Sequence, residues 1–282
     1  MIKRILTGAV LIACLVGILF LREVNNIFFD ALIFIVSFGS MYELTSAFSK
    51  INVKNNKIAL LVFGVLFVTG FYLFDTVMGV FLAFVISAIV ALVVFTFSVN
   101  STVQDLVTTL FTMVYPTLFL YFALKLNHYA NGLLLILLVI IVSVFTDTFA
   151  YFVGSLLKGK KLCPKISPKK TISGAIGGFI GGILGALLVY ACFEVWGIFG
   201  QYSLGLVSGS SIWLYLVIGA IGAVFDEVGD LVSSQIKRKT GIKDFGNIFP
   251  GHGGILDRID GLCFVLVGVS VFLEIYGLII AL

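Results

Sequence analysis

Apolar runs of about 20 residues recur along the chain, separated by short polar breaks. Each is long enough to cross roughly 30 Å of hydrocarbon at about 1.5 Å per helical residue. A spanning backbone must satisfy its own hydrogen bonds, so helices follow. The pattern predicts nine spans, at roughly 5–21, 27–48, 59–74, 76–98, 106–125, 132–154, 172–197, 211–230 and 261–281. Little more than Asp75 divides the third from the fourth, which leaves open a re-entrant pair or one tilted helix there. The expected fold is all-α, a polytopic integral membrane protein.

Composition agrees, because the 282 residues are 60% hydrophobic and only 11% charged, against about 25% charged in soluble domains. The first run follows Lys3 and Arg4 but leads into Arg22, Glu23 and Val24. That is no small-residue cleavage pattern, so the run reads as a span and not as a signal peptide. Cys14, Cys163, Cys192 and Cys263 are scattered without CxxC spacing and imply neither a disulfide framework nor a thiolate metal site. With nine spans, the N-terminus and the loops after even-numbered spans share one side. Of the 18 Lys and Arg residues, only Arg22 and Lys125 fall on the other side. The asymmetry predicts a cytoplasmic N-terminus and an outside C-terminus. Both long cytoplasmic loops lie in the second half, and chemistry is expected there. No internal repeat is evident, which disfavours inverted-repeat transporter folds. The run "GAIGGFIGGILGA" (174–186) is a pattern for close helix approach.

The eighth span ends "GAVFDEVGDLVSSQIKRK". If its helix continues past the membrane edge, Asp226 and Asp230 are four apart, and Asp230, Ser233, Ser234 and Lys237 share one face. An ordinary solvated helix exit has this look too, but acids at membrane depth are expensive and usually line a site. Asp226 and Glu227 cannot both face Asp230 equally well, so at least one is expected to be structural. Asp30 and Glu43 in the second span stand out without a distinguishable role.

Downstream, "FPGHGGILDRID" (249–260) combines three devices. Pro250, Gly251, Gly253 and Gly254 form a turn whose bare amides suit phosphate oxygens, the more so at the start of a following helix. On a helix from about Ile255, Asp257 and Asp260 point the same way while Arg258 points aside. Two convergent carboxylates are hard ligands suited to Mg²⁺, which takes one or two carboxylates plus waters and phosphate oxygens. With Lys237, Arg238, Lys243 and Arg258 nearby in sequence, the stretch describes a metal–polyphosphate site.

Residues 234–260 resemble, position by position, the signature of the phosphatidate cytidylyltransferases, with Ser234, Lys237, Arg238, Lys243, Asp244, Pro250, His252, Gly253, Gly254, Asp257, Arg258 and Asp260 in place. "DTFAYFVGSLLKGKKLCPKISPKKTISGAIGG" (147–178) is similar to that family's preceding conserved region through Asp147, Tyr151, Gly154, Lys161, Pro164, Ser167, Pro168, Lys170, Thr171 and Gly174. Ser173 stands where the family commonly has an acid and Gly261 where it commonly has a serine, so neither receives a ligand role. The specific likeness covers about 147–261.

The resemblance implies transfer of the cytidylyl group of CTP to phosphatidic acid, giving CDP-diacylglycerol and pyrophosphate. It implies a catalytic set of Asp230, Lys237, Arg238, His252, Asp257, Arg258 and Asp260, and substrate contacts from Lys170, Thr171, Ser234, Lys243, Gly253 and Gly254. Metal ligands are expected at Asp147, Asp230, Asp257 and Asp260, for Mg²⁺ alone or with a second cation. His252 need not act as a base, since a phosphomonoester with a second pKa near about 6 is already largely ionised. Residues 1–130 are then N-terminal transmembrane helices, and 131–282 a C-terminal catalytic membrane region. The expected partners are CTP and membrane phosphatidic acid, with no nucleic acid and a homodimer allowed. The expected setting is the cell membrane, multi-pass, with the site on the cytoplasmic side. Two rivals stand beside this: a CTP-dependent polyisoprenoid-alcohol kinase, which needs a base for its hydroxyl nucleophile, and an ion-coupled transporter.

Overall fold

A computed structural model describes residues 2–74, 76–198, 202–204 and 211–281. Among these, nine apolar helices carry the chain: α1 (Ile2–Val24), α2 (Ile27–Ser49), α3 (Lys57–Leu73), α4 (Thr76–Phe97), α5 (Val103–Asn127), α6 (Gly132–Leu157), α7 (Ile172–Val195), α8 (Ser211–Lys239) and α9 (Leu256–Ala281). Eight are long and apolar enough to cross a membrane, and α3, with 17 residues, is the short one. The chain is a multi-pass membrane protein. Large apolar side chains such as Phe20, Phe81 and Leu156 stand exposed along it, as a lipid-facing surface requires.

Helix order follows the nine apolar runs, and the differences have local causes. A single tilted helix over α3 and α4 is excluded, because the two lie side by side. A Cβ added at Gly70 would stand 2.6 Å from the Gly79 carbonyl oxygen, and the Phe63 and Phe84 rings meet edge-on at 6.5 Å. Their connection at residue 75 lies outside the described residues. Within α5, a π-helical turn at Met113–Leu118 contains Pro116, which has no N–H to donate, and Tyr115 there has extended backbone. Helix α8 does continue past its apolar run, to Lys239.

Internal packing distinguishes two compact units, residues 1–121 with 239–257 and residues 122–238 with 258–282. In the first, Phe34 of α2 packs edge-on against Phe67 and Phe71 of α3. Asn56 caps α3 by accepting the amides of Ile58 and Ala59, each at 3.1 Å. In the second, the glycines of α7 bring three helices together. A Cβ at Gly177 would strike Val153 of α6 at 2.5 Å, one at Gly181 would strike Phe149 at 2.5 Å, and one at Gly182 would meet Ala223 of α8 at 2.7 Å. Small residues thus serve the close approach that their spacing predicts.

Between α6 and α7 the basic loop folds into an antiparallel hairpin of β1 (Lys161–Cys163) and β2 (Ser167–Thr171). Lys161 pairs with Thr171 and Cys163 with Ser167. The amide of Ile172 donates to the Lys160 carbonyl at 2.9 Å, and the Ser173 hydroxyl donates to the Lys158 carbonyl. Thr171 ends the hairpin and caps α7, its hydroxyl accepting the Gly174 amide at 3.0 Å.

Candidate functional site

The second unit holds a cavity of about 300 Å³ whose polar lining comes from Asp147 and Ser155 of α6, Lys169, Lys170 and Thr171 of β2, and Glu227 and Asp230 of α8. Tyr151, Ala150 and Ala175 add apolar wall. The hairpin delivers Lys170 to α8, where its Nζ lies 2.6 Å from Asp230 Oδ2. The Ser234 hydroxyl stands 3.4 Å from Asp230 Oδ1, one helical turn on. Asp147 lies in electrostatic reach of Asp230, Lys170 and Arg258. Asp260 accepts from the Ser233 hydroxyl at 2.7 Å, has Lys237 Nζ at 3.8 Å, and feels the charge of Asp230.

Five carboxylates therefore stand close together in this unit, those of Asp147, Asp226, Glu227, Asp230 and Asp260, with three cations among them, Lys170, Lys237 and Arg258. The formal excess of negative charge must be offset by protons or bound cations, because buried unpaired charge is costly. Asp226 Oδ2 and Glu227 Oε1 are buried without a hydrogen-bond partner, which fits a missing positive group. No three carboxylate, imidazole or thiol side chains among the described residues already converge as a ligand set. Lys170 occupies one side of Asp230 instead.

The first unit holds the glycine turn. Gly251 and Gly253 have φ of +79° and +83°, backbone that side chains with a Cβ rarely adopt. The turn closes with the Phe249 amide donating to the Gly253 carbonyl at 2.9 Å and the His252 amide donating to the Phe249 carbonyl at 2.8 Å. His252 is half-buried, with Nδ1 lacking a hydrogen-bond partner, and its ring lies beside Gly8 of α1. Lys243 is exposed. Asp257 Oδ2 accepts the amides of Phe245 at 2.7 Å and Gly254 at 3.0 Å. Glu43 of α2 takes the next two amides, Ile255 through Oε1 at 3.0 Å and Leu256 through Oε2 at 2.9 Å.

The glycine turn and the DxxD pair, both expected to meet ligands, have protein partners here. Of the turn Pro250, Gly251, Gly253 and Gly254, read as a phosphate cradle, the Gly254 amide is taken by Asp257, and the amides of Ile255 and Leu256 that follow the turn are taken by Glu43, since amides at a helix start lack intrahelical acceptors and favour the nearest anion. Of Asp257 and Asp260, read as sharing one ion, Asp257 accepts backbone amides of its own segment, and Asp260 accepts the Ser233 hydroxyl and has Lys237 Nζ at 3.8 Å. Among the remaining expected residues, Asp147, Lys170, Thr171, Asp230 and Ser234 gather around the cavity. Arg238 instead braces the hairpin, its Nε donating to the Ile166 carbonyl at 3.2 Å.

Sequence reasoning left Glu227 and Glu43 unassigned. Glu227 is three residues before Asp230, a same-face spacing, so a signal existed. Asp226 satisfies the rule equally well at four residues. It is 1% exposed and turned away to accept the Ser143 hydroxyl at 2.5 Å, whereas Glu227 lines the cavity. For Glu43 the only signal was an acid inside an apolar span.

The pattern of the cytidylyltransferase family matches residues 2–276, nearly the whole chain. The chain belongs to this family. Among curated relatives, a phosphatidate cytidylyltransferase of Staphylococcus saprophyticus is 42% identical over 137 residues, 49% of this chain and 48% of its own. A protein of the same name from Staphylococcus haemolyticus is 36% identical over 137 residues, again 49% of this chain and 48% of its own. One from Brucella abortus is 32% identical over 136 residues, 48% of this chain and 44% of its own. The matches thus span about half the length of these relatives. For a cytidylyltransferase-family chain, a cavity that sets Lys170 against Asp230 has suitable chemistry: a phosphate partner and a hard-cation ligand, held in one place.

Proposed function

We propose that this chain transfers the cytidylyl group of CTP to phosphatidic acid, yielding CDP-diacylglycerol and pyrophosphate for phospholipid synthesis. The observation that carries the reading is the Lys170–Asp230 pair within the cavity of the second unit, in a membrane protein of the cytidylyltransferase family. The names of the relatives support phosphatidate as acceptor.

In this reading an ionised oxygen of the phosphatidate phosphomonoester attacks the α-phosphorus of CTP. The new P–O bond forms as the bond to the β-phosphate oxygen breaks, and pyrophosphate leaves with the electron pair. No side chain has to accept a proton, because the nucleophile is already largely deprotonated with a second pKa near about 6. Lys170, Lys237 and Arg258 offset the repulsion between two anionic substrates and steady the leaving pyrophosphate. Mg²⁺, alone or with a second cation, supplies Lewis-acid neutralisation of phosphate oxygens when bound. Asp147, Asp230 and Asp260 would hold it, with Glu227 beside them. Asp257 serves the backbone of its own turn, and His252 and Lys243 contribute substrate contacts. Since CTP is water-soluble and cytosolic, the site faces the cytoplasm, in keeping with the Lys and Arg asymmetry.

The deciding experiment incubates the purified chain with phosphatidate, Mg²⁺ and CTP labelled at either the α- or the γ-phosphorus. Appearance of the α-label in lipid with release of pyrophosphate is the expected result. Transfer of γ-label to a polyisoprenoid alcohol would replace this reading with the kinase, and cation flux in proteoliposomes without CTP turnover would replace it with the transporter.

A further inference from the structure

We infer that Glu43 is a positioning residue for the reaction proposed above: from α2, its carboxylate holds the first turn of α9 and the glycine turn that precedes it. The inference rests on that reading for its consequence in turnover, but the contact itself is independent of it. Glu43 is 2% exposed. A buried acid in a span normally answers a cation or lines a pathway. The hydrogen-bond partners of this one are backbone amides more than 200 residues away, those of Ile255 and Leu256. They lie at the positive end of a helix, where they have no acceptor of their own.

The surroundings are shaped for this contact. A Cβ on Gly254 would overlap both carboxylate oxygens of Glu43, and one on Gly246 would overlap Oε1. Gly39, one turn before Glu43 on the same helix face, leaves room for the Ile255 side chain, whose Cδ1 a Cβ there would strike. Helix α2 thus offers a hole for the side chain of Ile255 and an anion for its backbone, four residues apart. The amides of Phe245 and Gly254 go to Asp257, so two carboxylates hold four amides. Together they tie the segment from Phe245 to Leu256 to α2 and to its own turn. His252 sits inside the segment so clamped, and Thr7 of α1 adds a hydrogen bond to the Pro250 carbonyl at 3.3 Å.

The test uses the full chain in detergent, with hydrogen–deuterium exchange and turnover as separate readouts. Glu43→Gln offers one acceptor oxygen and a donor where two amides need acceptors. Exchange at Ile255 and Leu256 should rise about tenfold or more, while protection of α3 and α4 stays as in the parent. Turnover should fall by about tenfold. Gly254→Ala, which pushes into the carboxylate, should show the same pair of effects. Combining it with Glu43→Asp, whose carboxylate withdraws by one methylene, should recover several-fold of the turnover and protection that Gly254→Ala loses. Parent-like exchange in Glu43→Gln, or no recovery in the double variant, overturns the inference. If Glu43→Gln does not accumulate, the comparison of Gly254→Ala with the double variant decides. A parent protein that makes no CDP-diacylglycerol defeats the proposed function and leaves the exchange results to judge Glu43.

Discussion

Lys170 Nζ and Asp230 Oδ2 stand 2.6 Å apart, so the cation suited to a nucleotide phosphate and the carboxylate suited to a metal neutralise each other. In the proposed reaction a phosphate drawn to Lys170 would compete with Asp230 for it, and a divalent cation drawn to Asp230 would compete with Lys170. On that proposal each ligand would prepare the site for the other, and linkage would make the effect reciprocal.

The first prediction concerns that coupling. Mn²⁺ should bind weakly without nucleotide and more tightly with CTP. Lys170→Met should raise nucleotide-free Mn²⁺ affinity by about tenfold and weaken CTP by a similar factor, because Asp230 is released and the phosphate partner is gone. Titration calorimetry or Mn²⁺ spin resonance would measure both. Unchanged Mn²⁺ binding in Lys170→Met would mean that Asp230 is not a metal ligand.

A second prediction separates the two aspartates of the DxxD pair. Asp257→Asn weakens charge-assisted bonds to the amides of Phe245 and Gly254, and should lower stability by roughly 1.5–3 kcal/mol, seen as a reduced melting midpoint. Asp260→Asn retains an acceptor for Ser233 and should melt near the parent, yet lose turnover by about a hundredfold or more. Equal loss of turnover with unchanged melting in both variants would restore one shared ion.

Much of this arrangement was legible in the sequence. Eight of the nine apolar runs form helices long enough for a bilayer's thickness, and the continuous helix α8 through Lys239 puts Asp230, Ser233, Ser234 and Lys237 on one face, as helical periodicity predicts. Choice of partner across helices is a different matter. Spacing cannot reveal that Glu43 reaches Leu256, nor which of Asp226 and Glu227 turns toward the cavity. The choice depends on Ser143 offering Asp226 a hydroxyl and on Gly178 leaving space against Glu227. Asp257 is an acid in the first turn of a helix, where unsatisfied amides compete with a metal for its oxygens.

Packing in the second unit yields a third prediction. A Cβ at Gly181 would lie 2.5 Å from Phe149 Cβ and 2.7 Å from the Phe145 carbonyl oxygen, so α6 and α7 must part. Gly181→Ala should destabilise by about 1–3 kcal/mol. Gly277→Ala, where nothing lies within 4 Å, should be neutral or slightly stabilising. Thermal melts of the two proteins side by side make the comparison, and equal midpoints would contradict it.

Sidedness supplies a fourth. In a background lacking the exposed Cys14, thiols introduced by Lys160→Cys and Lys239→Cys should react only from the cytoplasm, and His128→Cys only from outside. Impermeant maleimide on intact cells and on inverted vesicles distinguishes the two faces. Labelling of position 160 from outside would reverse the proposed access of CTP.

Six lysines between residues 158 and 170 make an inviting target for trypsin, but a protease needs chain that can be drawn out into its cleft. Pairing of Lys161 with Thr171, and of the Ile172 amide with the Lys160 carbonyl, ties down both flanks, whereas Lys165 lies exposed on the connecting turn. Cutting should begin after Lys165, while a cut after Lys169 or Lys170 records the strands coming apart. Limited digestion thereby becomes a gauge of the strand that carries Lys170, readable on a gel without any assay of catalysis.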